Sequence, residues 1–143
     1  MTDLSLKTLL VPSKSVEVEF PGMPGFIIDV AFLSRETIIN IRKRATKVTF
    51  KNRQPQEELN DELFLQFYVE NAIKGWTGLK IKYLEKLAPV EVGQLDPEDL
   101  LNYTAENALY LMKNSTDFDS FISEQVSDLG NFLKNNSKEL KHN

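Results

Sequence analysis

Few residues in this chain could do chemistry. Three acidic groupings stand out: Glu57/Glu58, Asp61/Glu62 and Asp96/Glu98/Asp99. Paired carboxylates can serve as a general acid and base, or hold a magnesium ion. Each grouping also falls where a helix is expected to begin, and carboxylates are favoured there by the positive end of the helix dipole. That explanation covers all three, and nothing singles out a ligand set. The chain has no cysteine and one histidine, His142, next to last. Disulfides, zinc–thiolate sites, iron–sulfur clusters and thiol nucleophiles are excluded, and one terminal histidine is a poor basis for a Ser-His-Asp triad or a histidine metal site. There is no Gly-rich loop ending in Lys-Ser/Thr and no GxGxxG. The expectation is a protein with no catalytic residue, no metal and no cofactor, hence not an enzyme.

Arg42, Lys43, Arg44 and Lys47 form the other chemical feature. They sit near the expected end of a helix, where cations suit the macrodipole, and this outweighs a phosphate-binding role. Charge is uneven along the chain. Residues 1–56 carry nine Lys/Arg and five Asp/Glu (+4), residues 57–143 carry eight and sixteen (−8), and together these make the net −4. Three readings compete: a solvated surface, head-to-tail self-association through the cationic cluster, and nucleic-acid binding by the basic half. The last is weakest, because a net acidic chain lacks the usual footprint, and no nucleic-acid partner is expected. The longest run without charge, Phe20 to Ile28, has nine residues including two prolines and two glycines. It is too short to span a bilayer, so no membrane partner is expected. No signal peptide is visible, which points to the cytoplasm.

These residues must be positioned by a small set of elements. Residues 1–15 read as an arm gripped by Leu4, Leu6, Leu9 and Leu10, with Pro12 ending any local helix. Val16–Phe20 alternates, Pro21-Gly22-Met23-Pro24-Gly25 is a dense turn signal, and Phe26–Phe32 reads as a second strand. One hairpin face would then show Val16, Val18, Phe20, Phe26, Ile28 and Val30, and helices must cover it. Ser34 is placed to cap a helix whose stripe is Ile38, Ile41, Ala45 and Val48. Residues 51–58 read as a polar loop around Pro55. A second helix starts at Asn60 or an earlier residue, carries Leu59, Leu63, Phe67 (with Phe64 on its flank), Val69, Ala72, Ile73 and Trp76 on a wide apolar face, and stops near Gly75 as its C′ residue. Residues 79–95 read as a short helix or irregular link. Asp96-Pro97 signals a further helix start, Thr104 another, and Thr116-Asp117 the last. The last helix carries Phe118, Phe121, Ile122, Leu129, Phe132 and Leu133 on its apolar side, with Val126 flanking. The fold class is therefore α+β: an N-terminal β-hairpin or small antiparallel sheet packed on a bundle of four to five helices. Residues 16–133 form one domain and residues 134–143 a polar disordered tail.

The order of features carries a resemblance. Lys14-Ser15-Val16-Glu17-Val18 leads into the apolar hairpin, and Phe32-Leu33-Ser34-Arg35-Glu36 opens a helix. Ile73-Lys74-Gly75-Trp76-Thr77-Gly78-Leu79 follows the second helix, and Tyr103-Thr104-Ala105-Glu106-Asn107 precedes Ala108–Met112. Phe118-Asp119-Ser120-Phe121-Ile122 and Asp128-Leu129-Gly130-Asn131-Phe132 close the pattern. Over about residues 13–133 the chain resembles the tail assembly chaperones of long-tailed bacteriophages; the link at residues 79–95 departs from that family. The resemblance implies a protein that coats and solubilises the tape measure protein, helps recruit tail tube subunits, works in the host cytoplasm and is absent from the mature virion. It also implies the shorter product of a frameshifted pair, and Phe132-Leu133-Lys134-Asn135 permits slippery codons. A coat over exposed helical stripes fits such a role physically, as does self-association into oligomers.

Phe64 and Tyr68, flanking the core stripe, and Trp76 are the partner-binding candidates, against a core role for Trp76, Phe118, Phe121 and Phe132. The rival functions are a phage tail structural or completion protein, and a small nucleic-acid-binding regulator using Arg42, Lys43, Arg44 and Lys47.

Overall fold

The computed structural model describes residues 4–10 and 15–128. In chain order the elements are α1 (Leu6–Leu9), β1 (Ser15–Glu19), β2 (Ile27–Ala31), α2 (Arg35–Arg44), β3 (Thr46–Lys51), β4 (Gln54–Leu59), α3 (Asp61–Ala72), β5 (Ile73–Thr77), α4 (Ile81–Leu87), α5 (Ala105–Asn114) and α6 (Thr116–Ser127). The class is α+β, with a three-stranded antiparallel sheet ordered β1-β2-β5 and a separate two-stranded sheet, β3-β4. Pro12, Leu129, Phe132, Leu133 and the expected tail 134–143 lie outside the described residues.

The first hairpin follows its pattern. Val16 pairs with Val30 and Val18 with Ile28, so the apolar residues share one face, and all but half-buried Val18 are buried. Helix starts follow their caps: the side-chain oxygens of Ser34, Asn60, Thr104 and Ser115 accept from the amides of Thr37, Leu63, Asn107 and Phe118. Residues 81–87 are helical within the expected helix-or-link segment. In α6, Phe118, Ile122 and Val126 are buried, so Val126 is central to its stripe rather than flanking it. In the expected N-terminal arm, α1 buries no residue.

Four expectations are corrected. α2 ends at Arg44, and Val48 lies in a strand, exposed, rather than on a helix stripe. Thr46, Val48 and Thr49 are β-branched, and the alternation from Thr46 to Phe50 outweighs continued helix. The expected loop 51–58 is a tight turn at Asn52-Arg53, both at positive φ, followed by β4. α3 stops at Ala72, not near Gly75: Ile73, Gly75 and Trp76 belong to β5. A strand there pairs the second edge of β2, whose backbone groups would otherwise be buried without partners. A bulge between Asp29 and Val30 lets Ile73 and Trp76, three residues apart, both turn inward. Finally, Asp96-Pro97 opens a turn, not a helix. The Asp96 carboxylate accepts from Glu98 N–H, while the amides of Ile81 and Lys82 donate to the carbonyls of Asp99 and Pro97. Backbone groups that a helix would use along itself are thus used across to α4.

This 96–101 strap is tied at several points. Leu101 N–H donates to Leu79 O, and Trp76 Nε1 donates to Leu101 O at 2.9 Å. Glu98 sits between Lys80 Nζ at 2.8 Å and Lys82 Nζ at 2.7 Å. The Lys80 hydrogen bond first, and then that from Lys82, lowers the Glu98 carboxyl from 4.5 to about 2. Because the folded-state pKa is depressed, the contribution of this group is present above pH 4.5 and is lost as pH falls towards about 2.

Gly78 sets a steric limit. It has φ +76, and a Cβ there would collide with the carbonyl oxygen of Gly25, so the end of β5 packs backbone on backbone against the first hairpin turn. Two predictions follow from these contacts. Gly78→Ala is expected to lower unfolding free energy by about 2 kcal/mol or more in urea denaturation, whereas Gly93→Ala, at φ +58 with open space around it, costs about 1 kcal/mol. In an NMR titration the Glu98 carboxyl should have its midpoint near 2 and move towards 4.5 in Lys80→Met; an unmoved midpoint would show that the clamp does not form.

Candidate functional site

The second hairpin contributes no residue to the core cluster. The amide of Asn60 donates to Ala45 O at its base, and Thr46 Oγ1 donates to Arg42 O. Beyond half-buried Thr46 and Thr49, every residue from Lys47 to Leu59 is exposed. Register then sorts the side chains, because directly opposite residues share a face. One face holds the pairs Thr46/Leu59, Val48/Glu57 and Phe50/Pro55, and the other holds Lys47/Glu58, Thr49/Gln56 and Lys51/Gln54. The first is an apolar strip with a single charge, with Phe50 74%, Val48 59% and Leu59 42% exposed. The second is polar, with Lys51 and Glu58 at 4.0 Å. A two-stranded ribbon is marginal in water, so an uncovered apolar face on one is a surface waiting for a cover.

α2 joins this ribbon to a groove. Phe32, Leu33, Ile38 and Ile39, together with Arg35 and Arg42, line an open cavity of about 500 Å³. The exposed Arg42, Lys43 and Arg44 lie in the last turn of α2. Arg44 stacks its guanidinium 4.2 Å from the Phe67 ring centre, bracing α2 on α3, while Lys47 faces Glu58 on the polar side of the ribbon. The four cations expected to act together are therefore divided between a helix end and a strand.

The expected partner-binding residues are placed elsewhere. Phe64 and Tyr68 are half-buried on α3, with ring centres 6.2 Å apart. Burial raises the Tyr68 hydroxyl pKa; Ser123 opposes that shift and Asp119 reinforces it, which sets this side of α3 against α6. Trp76 is 7% exposed and belongs to the core. Val48, Phe50 and Leu59 were not among the candidates. Their signal was present as alternation over 46–50, but Asn52-Arg53 lacks the glycine that usually marks such a turn.

A family model described as YdaY prophage protein matches residues 33–143, a span that takes in α2, the second hairpin and every later described element. No curated protein and no solved structure matches the chain.

Proposed function

The chain belongs to the YdaY prophage protein family, and on that premise we propose that it is a phage tail assembly chaperone. In this reading it coats the tape measure protein in the host cytoplasm, keeps that protein soluble, helps recruit tail tube subunits and is left out of the mature virion. It acts by binding and release, without turnover. The observation that carries the reading is the apolar strip of Val48, Phe50, Pro55 and Leu59 on a ribbon that stands clear of the core.

An exposed apolar strip suits the apolar stripe of a long amphipathic helix. Cations of α2 beside it suit acidic residues flanking that stripe. The strip is small: burying each large side chain is worth about 1.5–3 kcal/mol at most, before ordering costs. One copy therefore holds weakly and many copies hold by avidity, which is what a coat that must be shed needs.

The test is co-expression with the tape measure protein of the same prophage, scoring its soluble fraction. Wild type is expected to keep it soluble. Val48→Asp with Phe50→Asp is expected to lose that effect while melting within a few degrees of wild type, since exposed substitutions cost within about 0.5 kcal/mol. Phe64→Asp with Tyr68→Asp, read the same way, tests the α3 side. A tape measure protein equally insoluble with and without the wild type would overturn the chaperone reading, as would the chain's presence in purified particles.

A further inference from the structure

The second hairpin has two open edges, and they are unequal. The Asn60 amide donates to the Ala45 carbonyl opposite it at the base, so by antiparallel alternation 47/58, 49/56 and 51/54 are bonded pairs. The backbone groups of Thr46, Val48 and Phe50 then point outward from β3, and those of Pro55, Glu57 and Leu59 outward from β4. β4 is guarded: Pro55 has no N–H to offer, and Glu57 and Glu58 lie along it. β3 keeps all its outward amides, with Val48 at their centre.

We propose that β3 is a dimerisation edge, pairing antiparallel with β3 of a second copy about a two-fold axis at Val48. The register selects this occupant. Val48 meets Val48 of the second copy, Thr46 meets Phe50, and Lys47 meets Thr49, so apolar faces apolar and no lysine lies directly opposite another. Lys47 is the diagonal neighbour of Lys47 and of Lys51 in the second copy, and within each hairpin Glu58 lies opposite Lys47 and 4.0 Å from Lys51. Aromatic–β-branched pairs such as Phe50–Thr46 are favourable cross-strand partners. The product is a four-stranded sheet, β4-β3-β3-β4, which escapes the marginal stability of an isolated hairpin.

Stacking β3 of one copy on β4 of the next does not fit the same edge. Adding β3 of one copy to β4 of the next by a shift along the sheet advances only two strands, about 10 Å. A body of roughly 100 residues has a radius of gyration of about 13 Å, so neighbouring bodies would overlap. A two-fold axis instead sends the bodies to opposite ends. It also joins the Val48, Phe50 and Leu59 faces of both copies into one strip, doubling the surface that the chaperone reading assigns to cargo. The inference deepens that reading but is measured without cargo, so either can fail alone.

The chain has no cysteine, which makes a clean experiment. In Val48→Cys each thiol is opposite its copy across the axis, at a Cα separation of about 5.5 Å that a disulfide spans. Val48→Cys should oxidise rapidly to a covalent dimer, whereas Glu57→Cys on the guarded edge should not. Sedimentation of the unmodified chain should show a monomer–dimer equilibrium. Val48→Pro, which removes the central outward amide, should shift it to monomer. Amide exchange at Val48 should slow as concentration rises, and exchange at Glu57 should not. A chain that stays monomeric at several hundred micromolar, a dimer that survives Val48→Pro, or preferential cross-linking through Glu57→Cys would each overturn the proposal.

Discussion

Four parts of the chain meet at Trp76. Its ring packs edge-on against Phe26 and Phe118 with centres 6.3 and 6.2 Å away, and against Tyr103 at 5.2 Å. Its indole N–H is donated to the Leu101 carbonyl. Aromatic contacts of this geometry contribute about 0.5–1.5 kcal/mol each beyond area burial. More important is what the arrangement requires. Trp76 must sit on a strand beside β2, the strand must bulge so that Ile73 turns inward with it, and Gly78 must follow so that the backbone can close on Gly25. The hairpin, β5, the strap and α6 are thereby joined around one cluster, to which Phe20 adds its contacts with Phe26 and Phe121.

That cluster determines what is left over. β2 is paired on both edges, and its inner face is covered, with Ile28 and Val30 fully buried. α3, α5 and α6 spend their apolar sides on the same core. The β3–β4 ribbon has no place there. It leaves the body between α2 and α3, held at its base by the bonds at Ala45 and Thr46, and it carries its apolar residues outward. Free surface of this kind is costly for a molecule that works alone, and useful for one that works by contact.

A closed core and an exposed ribbon outside it separate fold stability from ribbon sequence. Substituting the ribbon leaves the aromatic cluster untouched, so its exposed residues can vary without loss of fold. The charge layout follows the same division. The basic part of the chain runs up to β3 and the acidic part begins in β4, so the ribbon joins the two and is itself close to balanced, with Lys47 and Lys51 on one strand and Glu57 and Glu58 on the other.

The first hairpin, the starts at Ser34, Asn60 and Thr104, and the Phe118 and Ile122 positions of α6 were legible in the residues, because each depends on neighbours within a few positions: alternation at Val16–Phe20, an oxygen at Ser34 or Asn60 within reach of an amide three residues on. The cationic cluster was legible as composition but not as geometry, since its members divide between α2 and β3. Where the reading failed, the deciding partner was remote or the local signal divided. Ile73–Thr77 could have continued α3, and only β2, more than forty residues earlier in the chain, made it a strand. Asp96-Pro97 has the form of a helix start, and Lys80, Lys82 and the amides of α4 made it a strap. The second hairpin held alternation enough for a strand, but exposure is a property of what does not pack against it. So the sequence by itself determined the short-range elements and the absence of thiol chemistry, while tertiary structure decided which apolar residues are core and which face outward. The reason is that a cap or a turn is satisfied by atoms a few residues away, whereas burial is settled only when distant segments compete for the same space.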